Sequence, residues 1–193
     1  MRMNLNAIIA QPKSGEEKFR FDEGNLEIKL NDFWIWNQSN LLENRTRGIL
    51  AEFIVKQALN IDNEIRIEWD NYDLITKEGI KIEAKSAAYF QSWKQKKHSD
   101  ISFGIAPAKM DPIHPLYDGT SKRWSDLYIF CVLENKDQET INPLNLNQWV
   151  FYVLKTEILD LKVPNQKTIG LNSLLKLKPA KCNFNELKTV ILS

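Results

Sequence analysis

Three residues that suit metal-assisted chemistry lie close together in the sequence: Asp73, Glu83 and Lys85. Hard cations such as Mg²⁺ prefer oxygen ligands, and Mg²⁺ keeps several waters when one or two carboxylates bind it. A lysine beside such a cation would orient or help to deprotonate an attacking water and would screen the charge of a phosphate. The three residue types therefore indicate metal-assisted hydrolysis of a phosphodiester.

A β-hairpin would bring the two carboxylates together. The Lys-Glu-Gly sequence at residues 77–79 has the form of a three-residue hairpin loop closed by glycine. That loop pairs Thr76 with Ile80, and counting outward places Asp73 opposite Glu83. Opposed residues have their Cβ atoms roughly 4.5–5.5 Å apart. Two carboxylates so close repel each other unless a cation lies between them.

Strand alternation adds the lysine to this pair. In the run IKIEAK, Glu83 and Lys85 face one way, whereas Ile82 and Ala84 face the other. Lys85 therefore projects beside the carboxylates, and the Ala84 carbonyl is a further candidate metal ligand. The plain alternative is a surface ion pair between Glu83 and Lys85 on an amphipathic strand, with Asp73 an unrelated charge near a turn.

The elements around the hairpin predict an α/β fold. Apolar spacing predicts a helix over residues 41–59 that is capped by Asn44. Its apolar face is predicted to consist of Ile49, Leu50, Phe53, Ile54 and Ala58. Further strands are predicted at residues 24–30, IRIEW (65–69), SFGIA, DLYIFCVL and QWVFYVL, and a closing helix at 184–192. DLYIFCVL is typical of a central strand buried on both faces, so we expect a central mixed sheet flanked by helices.

Composition narrows the classes of protein. A chain of 193 residues, 43% hydrophobic and with a net charge of +1, fits one soluble domain over residues 1–193, with residues 1–18 predicted to be mobile. The small net charge excludes a strongly basic nucleic-acid coat, so any such binding must come from local patches. No apolar run is long enough to cross a membrane. Cys131 and Cys182 are expected to be reduced core thiols of a cytoplasmic protein. His98 and His114 lack partners at metal-ligand spacing.

The run EWDNYDLITKEGIKIEAKSAAYFQSW resembles the core motif of the PD-(D/E)xK nuclease superfamily, which has the restriction-endonuclease-like fold. The aspartate of the motif matches Asp73, preceded here by Tyr72 rather than proline, and the acid-x-lysine element matches Glu83 to Lys85. The resemblance covers about residues 45–93. The whole layout DFW…RGILAEFIV…YDL…IKIEAKS also resembles a group of uncharacterised bacterial proteins of that type.

The resemblance implies the remaining parts of the site. It implies Mg²⁺ as the cofactor, with Mn²⁺ as a substitute, and metal-dependent hydrolysis of phosphodiester bonds. It also places Glu52, from the preceding helix, as a fourth acidic member of the catalytic and metal set. The alternative for Glu52 is a solvated helix-edge carboxylate paired with Lys56, four residues on.

A second group of residues indicates contact with nucleic acid. The run SWKQKKH combines a tryptophan with three lysines, which suits contact with phosphates and salt-dependent binding. The alternative is an exposed lysine-rich surface with no ligand. The candidate residues are Arg45, Ser86, Gln91, Trp93, Lys94, Lys96 and Lys97. The tryptophans of DFWIWNQ are instead expected to pack in the core, with an anchoring or partner surface as the alternative.

Taken together, these features predict a Mg²⁺-dependent endonuclease acting on DNA, in defence against foreign DNA or in repair. By analogy, cutting both strands of a duplex calls for a homodimer, and a partner subunit is a further candidate source of specificity. The alternatives are a catalytically silent DNA-binding or scaffold module of the same fold and an interaction protein with neither property.

Overall fold

The computed structural model describes residues 8–62, 65–66, 71–110 and 119–193. Ile67 and Trp69 of the predicted IRIEW strand lie outside these residues, as does His114. The chain divides into a smaller unit, Met1–Asn40 with Asp62–Glu68, and a larger unit, Leu41–Ile61 with Trp69–Ser193. In the described part of the chain, every helix is too short or too polar to span a bilayer.

The smaller unit contains a β-hairpin followed by a helix. Strands β1 (Lys18–Phe21) and β2 (Gly24–Lys29) are antiparallel, so the predicted strand at 24–30 is confirmed, and helix α1 spans Leu30–Gln38. No residue of α1 is buried, and Trp36 is 81% exposed. Core packing of DFWIWNQ was therefore a wrong prediction, because its aromatic residues are too closely spaced for one helical face to bury them.

The larger unit is built on a five-stranded mixed sheet. Its strands are β3 (Leu74–Ile75), β4 (Lys81–Ala88), β8 (Leu127–Leu133), β9 (Trp149–Lys155) and β11 (Ala180–Cys182). They lie in the order β11-β9-β8-β4-β3, in which β4 and β8 are parallel and the other neighbouring pairs are antiparallel. Every residue of β8 is buried, which confirms the prediction of a central strand covered on both faces.

Helices cover both faces of this sheet, so the predicted α/β fold with a central mixed sheet flanked by helices is confirmed. On one face, α2 (Asn44–Leu59) and α5 (Leu187–Leu192) pack against Ile82, Ile129 and Phe151. On the other face, α3 (Thr156–Lys162) and α4 (Leu171–Lys176) contribute Leu159 and Leu174. Cys131 and Cys182 are buried free thiols, as predicted.

Short elements complete the larger unit. Strand β5 (Ser102–Gly104) pairs with β10 (Thr168–Gly170), and β6 (Ala108–Lys109) pairs with β7 (Ser121–Lys122). A 3₁₀ turn at Leu146–Gln148 precedes β9. Phe103 of β5 and Ile169 of β10 are buried in the same cluster as Phe130, so the β5–β10 pair lies on the face of the sheet that also carries α3 and α4.

Helix α2 differs from its prediction in two details. Its N-cap is Glu43, whose carboxylate accepts a hydrogen bond from the Thr46 amide, rather than Asn44. Its buried residues are Arg47, Ala51, Ile54, Val55 and Leu59. Phe53, predicted for the apolar face, is 53% exposed. The buried face is set by what fits against β4, and small Ala51 permits the close approach that a phenylalanine would prevent.

Candidate functional site

The hairpin between β3 and β4 has the predicted register. Leu74 pairs with Ile82 and Ile75 with Lys81, and the Thr76 amide donates to the Ile80 carbonyl at 3.0 Å. The loop is closed by Gly79, whose φ of 86° lies in the left-handed region. A type I turn closed by a left-handed residue is the form that a three-residue hairpin loop takes.

Gly79 gives a direct test of this turn. A Cβ added at Gly79 would meet no atom within 4 Å, so the cost of Gly79→Ala comes from the backbone alone. We expect that substitution to lower the free energy of unfolding by about 1–2 kcal/mol. Gly48→Ala is the matched control, because Gly48 also has open space but is helical, and we expect a gain of about 0.5–1 kcal/mol. Urea unfolding measures the free energy of unfolding of both variants. Equal changes in the two would contradict a left-handed conformation at residue 79.

Asp73 lies immediately before β3 and is held against β4 by two hydrogen bonds. Its amide donates to the Ile82 carbonyl at 2.9 Å, and its Oδ2 accepts from the Ala84 amide at 2.8 Å. At this position the Ala84 amide donates to the Asp73 side chain rather than to a backbone carbonyl of the neighbouring strand. The Asp73 carboxylate is therefore anchored on the residue that lies between Glu83 and Lys85.

Glu83 and Lys85 share one face of β4 and form an ion pair through Glu83 Oε1 and Lys85 Nζ. Their side chains are 20% and 33% exposed, respectively, so both groups are largely desolvated but can be reached from solvent. Ala84, between them, is buried on the opposite face. The alternation predicted from IKIEAK thus produces a partly open site with a carboxylate and an ammonium side by side.

Asp73 is the carboxylate whose pKa is raised most clearly by its buried, negatively charged surroundings. Burial, then the carboxylates of Glu83 and Glu52, raise the pKa of Asp73 to about 7, although Lys85 and the Ala84 amide oppose the rise. Burial lowers the pKa of Lys85, but Glu83 and Asp73 outweigh it, and the net pKa is raised. When all four groups are ionised, three carboxylates face one ammonium, which leaves an excess of negative charge that a divalent cation would neutralise.

Glu52 lies on α2 and acts on this site electrostatically. It is half-buried, and its charge raises the pKa values of both Asp73 and Lys85. Among the residues that the structure describes, no three His, Cys, Asp or Glu side chains are arranged to hold a metal ion together. The candidate ligands are Asp73 and Glu83 from the hairpin, with Glu52 from α2, and their hard oxygen donors suit Mg²⁺ with water completing the coordination.

Tyr128 is a neighbour of the site that the sequence did not reveal. It lies beside Glu83 across the parallel β4–β8 pair, and burial, then the Glu83 charge, raise the pKa of its phenol. Tyr128 therefore remains a neutral hydroxyl next to a carboxylate. The apolar run of β8 predicted a central strand, but parallel register depends on long-range pairing and has no local signal.

Ser86 and Gln91 contact a buried arginine. Arg47 is 3% exposed; it donates from Nε to Ser86 Oγ at 3.3 Å and from Nη1 to Gln91 Oε1 at 3.2 Å. Its remaining bonds go to the Leu42 carbonyl and Asn44 Oδ1. Burial lowers the pKa of Arg47. The arginine thus joins the start of α2 to β4 and to the loop that follows β4.

The other candidate nucleic-acid contacts lie on the molecular surface. Trp93, Lys94, Lys96 and Lys97 are exposed in the loop after β4, outside the carboxylate cluster. Arg45 is exposed in the first turn of α2. The structure therefore brings Asp73, Glu83 and Lys85 together, with Glu52 within electrostatic range. It places Lys94, Lys96 and Lys97 in a separate segment.

A comparison with known protein families agrees with the hydrolytic chemistry that these residues suggest. The model of a protein family described as bacteriophage T4 endonuclease IV matches residues 31–173, which is more than half of the chain. The matched range includes the hairpin, the carboxylate cluster and α2. No curated protein matches the chain.

Proposed function

The chain belongs to the bacteriophage T4 endonuclease IV family, and on that premise we propose that it is a metal-dependent DNA endonuclease whose reaction centre is Asp73, Glu83 and Lys85. We further propose that these residues form a PD-(D/E)xK motif. The observation that carries the proposal is the 2.8 Å hydrogen bond from the Ala84 amide to Asp73 Oδ2. This bond holds Asp73 directly against β4, the strand that carries Glu83 and Lys85, so no other strand or helix is needed to position the aspartate.

Mg²⁺, or Mn²⁺ in its place, fits the residues present. Asp73 and Glu83 supply the two carboxylates, and the Ala84 carbonyl is a candidate for one more oxygen ligand. In enzymes that act on phosphate substrates, Mg²⁺ is usually bound by one or two carboxylates together with waters and substrate oxygens. Once bound, the cation lowers the pKa of a coordinated water and stabilises charge on the phosphate.

Lys85 has the role of a fixed positive charge in this proposal. Its ammonium forms an ion pair with Glu83 and faces solvent through the open side of the site. There it would hold a phosphate oxygen or the attacking water by hydrogen bonding and screen the charge that builds up as the phosphorus becomes pentacoordinate. Glu52, the third candidate carboxylate, would bind the cation directly or through a water that the cation also holds.

Cleavage of plasmid DNA tests the proposal. We expect nicking with Mg²⁺ or Mn²⁺, none with EDTA, and loss of nicking in Asp73→Ala and in Lys85→Ala. Glu157→Gln, which changes an exposed carboxylate on α3, is the control and should cleave like wild type. Cleavage that survives both site substitutions would contradict the assigned site. DNA binding without cleavage by wild type would identify a catalytically silent binding module instead.

A further inference from the structure

The segment that joins β4 to β5 is a compact loop, Tyr89 to Ser99, which we call the basic loop. Residues 91–98 contain three lysines and no acidic residue, whereas the whole chain has a net charge of only +1. The positive charge of this loop is therefore a local property and not a reflection of the composition.

The two ends of the basic loop meet. The Ser99 amide donates to the Tyr89 carbonyl at 2.9 Å, and the His98 ring lies edge-on to Phe90 with centroids 4.9 Å apart. Compact surface loops whose ends are close and whose own side chains pack them are frequently functional. Its two ends are joined by its own residues, and Tyr89 packs against the buried cluster that contains Phe130.

Gln95 organises the interior of the loop. Its Oε1 accepts from the Gln91 amide at 2.7 Å, and its Nε2 donates to Ser99 Oγ at 2.9 Å, with the Tyr89 and Lys97 carbonyls at 3.3 Å. A neutral amide therefore satisfies the inward-facing backbone groups. The charged side chains are left on the outside.

The exterior of the loop presents an aromatic ring and three cations. Trp93 is 56% exposed, and Lys97 makes only a loose contact of 3.4 Å with Asp100. Across the described part of the chain, Lys94 and Lys96 have no ion-pair partner. Lysines spaced along a loop beside an exposed tryptophan match a nucleic-acid backbone in charge and offer a ring for base or sugar contact.

Arg47 connects this loop to β4, the strand that carries Glu83 and Lys85 on its other face. It donates to Gln91 of the loop and to Ser86, the residue after Lys85, and it is almost completely buried. Tyr89 lies four residue steps beyond Lys85, about 13 Å along the chain at 3.3 Å per step.

We propose that the basic loop is a preformed contact surface for the backbone of the DNA substrate, with Gln95 as its positioning residue. The inference rests on the proposed nuclease function, because the ligand it names is the DNA that the reaction centre would cut. Its lysines contact phosphates on one side of the cut, and Trp93 packs on the same strand. Because Gln95 holds the loop in shape before DNA arrives, binding does not have to order it.

Binding measurements test the charges. The probe is a labelled duplex oligonucleotide, with its single strand in parallel, titrated in Ca²⁺ over a salt series by fluorescence anisotropy. We expect the triple variant Lys94→Ala, Lys96→Ala, Lys97→Ala to reduce the log–log salt slope on duplex by about 2–3 and to weaken binding at least tenfold. The matched control removes three exposed lysines elsewhere: Lys176→Ala, Lys181→Ala and Lys188→Ala. Equal losses in both triple variants, or none in either, would overturn the proposal.

Gln95→Ala separates positioning from charge. It removes no charge, so we expect the salt slope to be unchanged, the KM for DNA to rise about three- to tenfold, and kcat and the melting temperature to stay at wild-type values. A change in kcat with KM constant would overturn the positioning role. A scan of single neutral methylphosphonates outward from the mapped cut should find positions that weaken DNA binding by wild type but not by the lysine triple variant.

The two proposals can fail separately. If wild type cleaves DNA in Mg²⁺ and the loop variants bind normally, the basic loop is not the contact surface and the nuclease assignment stands. If wild type never cleaves but the lysine triple variant loses DNA binding, the loop is confirmed as a binding surface and the nuclease assignment is wrong. Binding of an acidic polypeptide as tight as that of DNA would overturn the choice of partner.

Discussion

Asp73→Asn is expected to make the protein more stable at pH 8 in EDTA while it abolishes DNA cleavage. The native site raises the pKa of Asp73 to about 7, mainly through burial and then through the charges of Glu83 and Glu52. The unfolded value is about 3.9, so folding favours the protonated form. The contribution of Asp73 to wild-type stability is therefore greatest below about pH 4, falls as the pH rises towards 7, and levels off above it. That fall is on the order of 2–4 kcal/mol.

Asparagine removes the buried charge and can still accept the hydrogen bond from the Ala84 amide. The melting temperature of Asp73→Asn should therefore vary little between pH 5 and pH 8, whereas that of wild type should fall; differential scanning calorimetry checks both. Glu157→Gln, at an exposed position, should follow the wild-type curve. If the melting temperatures of wild type and Asp73→Asn changed in parallel from pH 5 to pH 8, the raised pKa of Asp73 would be contradicted.

A divalent cation should stabilise wild type and leave Asp73→Asn unchanged. Mg²⁺ that binds the folded site stabilises wild type by about 2.7 kcal/mol at a hundred times its Kd. Asp73→Asn should not respond, because the ligand and the repulsion are both gone. Stabilisation of the variant equal to that of wild type would place the metal elsewhere on the protein.

Lys85→Met is expected to lower kcat for DNA cleavage by about 10²–10³-fold, the usual loss when one group that stabilises transition-state charge is removed. It should also destabilise the fold, because Glu83 loses the ammonium that neutralises it. Both side chains retain some exposure, so we expect about 1–2 kcal/mol rather than the larger cost of a fully buried pair. Single-turnover cleavage and urea unfolding measure the two effects.

The double variant Lys85→Met with Glu83→Gln separates these roles. Removing both charges of the pair should restore most of the lost stability. Cleavage should stay at the level of the single variant or below it, because neither the ammonium nor the carboxylate is present. Activity that recovers together with stability would show that Lys85 acts only by supporting the fold. Lys176→Met, at an exposed position, is the control for the substitution itself.

The part of the site closed by a short loop could be predicted from the sequence. A glycine-closed turn of three residues fixes the pairing on both sides, so Leu74 opposite Ile82 and the shared face of Glu83 and Lys85 follow from counting. The same counting did not show that the Asp73 side chain itself accepts a backbone hydrogen bond, since that depends on where regular pairing ends.

Features that depend on distant segments could not be predicted. Tyr128 reaches Glu83 through a parallel strand pair, whose register no turn defines. The buried face of α2 includes Arg47 and excludes Phe53, because the fit against β4 outweighs apolar periodicity. Gln95 looked like one polar residue in a basic run, and only the closed loop gives its amide four partners.

The mixed connectivity of β4 has a consequence for the order of folding. Strand β4 meets β3 across a three-residue loop, and such hairpins form in about 1–10 μs. Its other edge pairs with β8 only after the segment from Tyr89 to Asp126 has been brought round, and such non-local pairing is slow. The two carboxylates thus meet first in water, where their repulsion is weak, and are desolvated only when β8 docks. We therefore expect protons or Mg²⁺ to speed the last step of folding and to leave the first unchanged.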